Sequence, residues 1–92
     1  MQVLVKYLTY IRDLAGTDSE IIEIEGEMDL SEFIRILGDR HGEDFYEGIL
    51  DEEKMDLRNG VIIGVNGRIA QKLDEKIRGG DTLILSIAVS GG

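Results

Sequence analysis

Ninety-two residues, 42% of them hydrophobic, suffice for one small domain with a modest core, taken here as residues 1–92. Ten basic against nineteen acidic residues give a formal charge of −9, which speaks against nucleic acid, whose phosphates need Lys and Arg, and against an anionic membrane surface. The lack of cysteine excludes disulfides, thiolate metal sites and a thiol nucleophile.

The opening stretch, MQVLVKYLTY, lacks the basic start and the apolar core with a small-residue cleavage site of a signal peptide. No apolar run approaches the roughly 20 residues that cross a bilayer, so a cytoplasmic location is the expectation. Val3, Val5 and Tyr7 alternate with Gln2, Leu4, Lys6 and Leu8, which predicts a strand over residues 2–9 with a second face that is only partly polar. IRDLAG reads as a turn ending on Gly16, and SEIIEI, residues 19–24, as a second strand hairpin-paired with the first. Leu30, Phe33, Ile34 and Leu37 fall at i, i+3, i+4 and i+7, one face of a helix over residues 29–41. Asp29 suits its N-cap, Glu32 three residues on suits a capping box, and Gly42 suits its stop. Gly38 weakens the last turn by ~1 kcal/mol relative to Ala.

Residues 43–60 read as an acidic loop, with at most one helical turn around Phe45 and Ile49. A short buried strand follows at residues 61–65. Asn66-Gly67 is a strong hairpin signal, since both positions tolerate positive φ, and it returns the chain through residues 68–71. Residues 72–77 read as a charged connection, and Gly79-Gly80 turns into a last strand over residues 82–89. The first and last strands are the most apolar and are placed centrally. The order ββαβ(β)β, with one main helix packed across a sheet face, is an α+β layer architecture.

Little in this chain suggests catalysis. The phosphate-loop, dinucleotide and zinc-protease patterns are absent, and no acid-and-histidine pair suggests a hydrolase. His41, the one histidine, suits the negative end of the helix dipole. Asp51, Glu52, Glu53 and Asp56 lack EF-hand spacing and read as a solvated loop, so no metal site and no resident cofactor are expected. A basic protein partner suits the charge, because complementary fields speed encounter. The outer sheet face is the expected docking surface, through Leu8, Ile69 and Ser86, with Arg12 at its rim.

The chain ends Val89-Ser90-Gly91-Gly92. Glycines are thin and conformationally permissive, so these residues can thread a narrow channel and present the Gly92 carboxylate inside a partner. The alternative is a chance glycine pair with no role. If the tail works, residues 89–92 should be mobile in the free chain. Adenylation by ATP would activate the carboxylate, and attack by a sulfide equivalent would give a thiocarboxylate.

The strand order, IRDLAG after the first strand, Asn66-Gly67, GGDTL before the last strand and terminal VSGG together resemble the ubiquitin-like sulfur carriers, a β-grasp family. Arg12-Asp13-Leu14-Ala15-Gly16 is most similar to the small subunits of molybdopterin synthase, although Ser86-Ile87-Ala88 stands where Phe-Pro-Pro is often found. The resemblance implies a non-catalytic carrier whose Gly92 is adenylated by an E1-like enzyme that consumes ATP. The Gly92 thiocarboxylate would then serve the molybdopterin synthase large subunit. Related carriers serve thiamine synthesis or tRNA thiolation, or join lysines as modifiers. A reading of another class is an interaction domain that docks through its sheet without tail chemistry.

Overall fold

Alternation of apolar residues at every second position builds the central strands. In the computed structural model, which describes residues 1–88, Val3, Val5 and Tyr7 of β1 (Gln2–Tyr7) all face inward and are buried. Leu83 and Leu85 of β9 (Thr82–Ile87) do the same, as do Ile63 and Val65 of β6 (Val61–Val65). With β2 (Ser19–Glu23) and β7 (Arg68–Ile69) these strands form one mixed sheet in the order β2-β1-β9-β6-β7. β1 and β9 are internal neighbours and run parallel, from Leu4 opposite Thr82 to Tyr7 opposite Leu85; the other pairings are antiparallel. The expected central placement of the first and last strands therefore holds.

The helix α2 (Leu30–His41) lies against the inner face through Leu30, Phe33, Ile34 and Leu37, all buried in one core. Asp29 occupies its N-cap position but makes no side-chain cap bond. Its carboxylate instead accepts from Lys76, and the helix's first donors find backbone carbonyls: Leu30 N–H on Glu75 at 2.8 Å and Ser31 N–H on Leu73 at 3.0 Å. The 73–75 segment thus does the work the capping box was expected to do. Gly42, at φ 101°, ends the helix as expected.

Four expectations need correction. IRDLAG is a helix, α1 (Thr9–Ala15), whose Ile11 is fully buried; the turn comes only at Gly16, where φ of 75° lets its N–H return to the Arg12 carbonyl. Two turns carry too few apolar residues for a helical period to stand out. The acidic loop also holds α3 (Glu43–Ile49), with Phe45 and Ile49 fully buried, and a small hairpin of β4 (Leu50–Asp51) and β5 (Asp56–Leu57). The charged connection runs into a strand, β8 (Lys76–Arg78), which pairs with β3 (Glu27–Asp29) and adds an Arg78–Glu27 ion pair at 2.8 Å. Only Ile77 there is buried, so no alternation was visible. Asn66 and Gly67 take the expected positive φ, 52° and 84°, but the return strand is only Arg68–Ile69.

Gly38 has a packing reason. A Cβ there would lie 2.7 Å from Tyr46 Cδ1, so the glycine is where α2 and α3 meet.

Candidate functional site

The helices cover one face of the sheet, and the register fixes what the other face presents. Opposite Lys6 stands Ile84, opposite Ile84 stands Gly64, and opposite Gly64 stands Ile69. The adjoining row pairs Ser86 with Ile62, and Ile21 pairs with Leu4 on the other flank. Leu8 extends this face by one step: it follows β1 in extended conformation and donates its N–H to the Leu85 carbonyl at 2.9 Å, which brings it beside Ser86. Leu8 is 45% exposed, Ile69 59% and Ile84 36%, an apolar run across the outer surface.

Sequence reasoning selected Leu8, Ile69 and Ser86, and the fold brings all three to this face. It overlooked Ile62 and Ile84, which the alternation of IIG and LIL around them would have supplied. Arg12 sits on α1 rather than in the sheet rows; it is exposed, with its Nε 3.7 Å from Asp18.

Because β1 and β9 are parallel, the end of β9 emerges beside the end of β1, at the loop into α1. The Thr9 hydroxyl donates to the Leu8 carbonyl at 2.7 Å and accepts the Ile87 N–H at 3.2 Å. On the opposite flank the Ala88 N–H donates to the Gly60 carbonyl at 2.7 Å. Gly60 has φ of 88°, and a Cβ on it would lie 3.0 Å from the Ala88 carbonyl oxygen. Val89, Ser90, Gly91 and Gly92, with their expected mobility, lie outside the described residues. Neither Thr9 nor Gly60 was singled out from sequence. A threonine before a helix reads as its cap, and only the β1–β9 pairing reveals its other partner.

A second cluster serves the framework. Glu20 accepts from the Tyr7 hydroxyl at 2.5 Å and from Arg40 Nε and Nη2 at 3.0 and 2.7 Å, and also bonds His41 Nε2. The His41 ring packs 5.0 Å from Phe45 and 5.7 Å from Tyr7. His41 thus ties the end of α2 to β2, a more specific role than the dipole position alone. Burial pushes the Tyr7 hydroxyl well above its usual range, and its bond to Glu20 adds to this. Burial acts to raise Glu20 as well, but the donors Tyr7, His41 and Arg40 outweigh it and hold the carboxyl low. Asp51 folds back on its own loop, accepting from the N–H groups of Glu53 and Lys54 at 3.1 and 3.3 Å. Among the described residues no group of three or more acidic or histidine side chains could hold a metal, and no helix is long and apolar enough to cross a membrane.

A mixed sheet folded over one main helix, with an apolar outer face beside the outlet of its last strand, defines the class: a ubiquitin-like β-grasp domain. The chain belongs to the ThiS family, whose model matches residues 5–92. It is similar to a candidate molybdopterin converting factor subunit 1 of Pyrococcus furiosus, at 34% identity over 97% of this chain and 99% of that one, with a TM-score of 0.76. It is also similar to the small archaeal modifier protein 1 of Haloferax volcanii, at 22% identity over the full length of both chains, with a TM-score of 0.83. A third likeness is to a chain of the BexX/CysO complex of Amycolatopsis orientalis, at 27% identity over 98% of this chain and 99% of that one, with a TM-score of 0.74. No curated protein matches in sequence. The family match and these likenesses make the chain a ubiquitin-like sulfur carrier. Relatives of this kind are small carrier proteins, and one is seen in complex with a partner protein.

Proposed function

We propose that this chain is the small subunit of a molybdopterin synthase and carries sulfur as a thiocarboxylate on Gly92. The observation that carries the reading is where β9 ends: Ala88 lies beside the exposed apolar face, and Val89-Ser90-Gly91-Gly92 follow it in sequence. Four residues span at most ~14 Å, a reach that would let a partner seated on that face take the Gly92 carboxylate into its own active site. The identity to the Pyrococcus furiosus subunit, 34%, favours molybdopterin among the sulfur pathways.

The chemistry asks little of this chain beyond its terminus. A carboxylate oxygen of Gly92 attacks the α-phosphorus of ATP on an E1-like activating enzyme and releases pyrophosphate. Hydrosulfide, or an enzyme-bound equivalent, then adds to the acyl carbon and displaces AMP, leaving a thiocarboxylate. Glycine at the last two positions keeps the acyl carbon approachable. The large subunit then takes the sulfur. Catalytic groups belong to the partners, and ATP is consumed by the activating enzyme.

A second reading, a ubiquitin-like modifier, is favoured by the fold likeness to the Haloferax volcanii protein, with its TM-score of 0.83. Intact-mass measurement of the chain from its native host separates the two. A carrier is roughly 16 Da heavier where sulfur replaces oxygen at the terminus, whereas a modifier is recovered branched onto lysines. A chain found only in its unmodified mass, in cells making molybdenum cofactor, would overturn the carrier reading.

A further inference from the structure

We propose that Thr9 is a positioning residue for the tail: with the Gly60 carbonyl it clamps Ile87 and Ala88 and so fixes where, and in which direction, the chain leaves the sheet. The inference rests on the tail reading above and names two residues that serve it.

Thr9 stands at φ of 54°, in the left-handed region, where a β-branched side chain is disfavoured. Glycine or asparagine would occupy that conformation more easily. Nor does packing explain the threonine, since Thr9 is exposed. A threonine at a helix start commonly caps its own helix, yet α1 has no side-chain cap bond. The hydroxyl is turned instead to the Leu8 carbonyl and to Ile87, accepting the Ile87 N–H at 3.2 Å and lying 3.4 Å from the Ile87 carbonyl oxygen. What threonine supplies here, and glycine would not, is a bridge from the end of β1 to the end of β9.

Gly60 completes the grip from the far side. Its carbonyl takes the Ala88 N–H, and at φ of 88° with the Ala88 oxygen 3.0 Å from an added Cβ, a side chain there would be strained and crowded. Consecutive residues are therefore held by elements about fifty positions apart in sequence. Counted along the sequence, Gly92 stands four residues past Ala88. If Ile87 and Ala88 come free, the span from Ser86 is six residues. Effective concentration falls roughly as the three-halves power of span, so reach alone costs about 2-fold, and a lost exit angle costs more.

The test compares Thr9→Ser, which keeps the hydroxyl, with Thr9→Gly, which removes it and relieves the backbone. The first readout is amide hydrogen exchange at Ile87, taken as a ratio to Leu83 on the same strand so that changes in global stability cancel. The second is ATP–pyrophosphate exchange with the activating enzyme. Thr9→Gly should raise the Ile87 ratio about 10-fold or more and lower kcat, by about 2-fold through reach where Ala88 also comes free, with KM unchanged because the docking face is intact. Thr9→Ser should match the wild type in both. An unchanged Ile87 ratio in Thr9→Gly, or a wild-type kcat in that variant, would overturn the clamp. The amide ratio judges the clamp even if the wild-type chain is never adenylated, a result that would overturn the proposed function instead.

Discussion

Replacing Gly38 with alanine separates the helix-propensity view of this residue from the packing view, because they differ in sign. Alanine in a helix interior is favoured over glycine by ~1 kcal/mol, so propensity alone predicts a more stable protein. The structure predicts the reverse. The new methyl would lie 2.7, 2.9 and 3.0 Å from Cδ1, Cβ and Cγ of Tyr46, against about 3.5–4.0 Å for relaxed carbon contacts. Rotating the Tyr46 ring relieves the Cδ1 contact but not the Cβ contact, since Cβ is fixed to the backbone. α3 must therefore move by roughly half an ångström to one ångström, and its Phe45 and Ile49 are fully buried in the core. Overpacking of this kind costs ~1–3 kcal/mol. Overpacking less propensity leaves a net of about 0–2 kcal/mol, so the central expectation for Gly38→Ala is a destabilisation of about 1 kcal/mol, read in urea melts as a lower midpoint at an unchanged slope, or a fall of roughly 4–8 °C in Tm. Stabilisation by alanine would refute the reasoning and leave α2 and α3 without a tight crossing.

Phe33→Ala, at a fully buried position where α2 meets the sheet, should cost about 3–5 kcal/mol by cavity formation, measured by the same denaturant melts. Leu8→Asp combined with Ile69→Asp should abolish binding to the activating enzyme and to the large subunit while the isolated domain keeps its melting transition; unchanged affinity in titration calorimetry would remove the sheet face from the account. The Glu20 cluster predicts stability lost at both ends of the pH scale. Glu20 titrates below its ordinary value of 4.5, so its share is present above that pH and is lost as pH falls through the lower folded value. Tyr7 titrates above its ordinary 10.0, so its share is present below that pH and is lost as pH rises beyond it. Glu20→Gln should flatten the acid limb of a stability–pH curve.

The central strands and α2 were legible because their apolar periods are long enough to repeat. Val3, Val5 and Tyr7, or Leu30 through Leu37, each give three or more inward positions in a row. Where an element is short, the pattern fails: α1 shows two turns, β8 buries Ile77 alone, and both are held by pairings distant in sequence. The site divides the same way. Alternation marked Leu8, Ile69 and Ser86 as outward, since it depends only on each strand's own parity. Thr9, Gly60 and the Glu20–His41 contact depend on which strands are neighbours, and no local signal carries that. The family resemblance, resting on motif order and the final glycines, reached further than any single residue pattern did.

The central claim is that the terminal glycine pair is the working part, and ATP–pyrophosphate exchange with the cognate activating enzyme tests it most directly. Deletion of Gly92, or addition of one residue after it, should leave stability within about 0.5 kcal/mol of wild type, as for surface changes. Either change displaces the carboxyl carbon from its reactive geometry, so the exchange signal should disappear. If the chain lacking Gly92 supports exchange at the wild-type rate, the carboxylate is not the group activated and the carrier account is wrong.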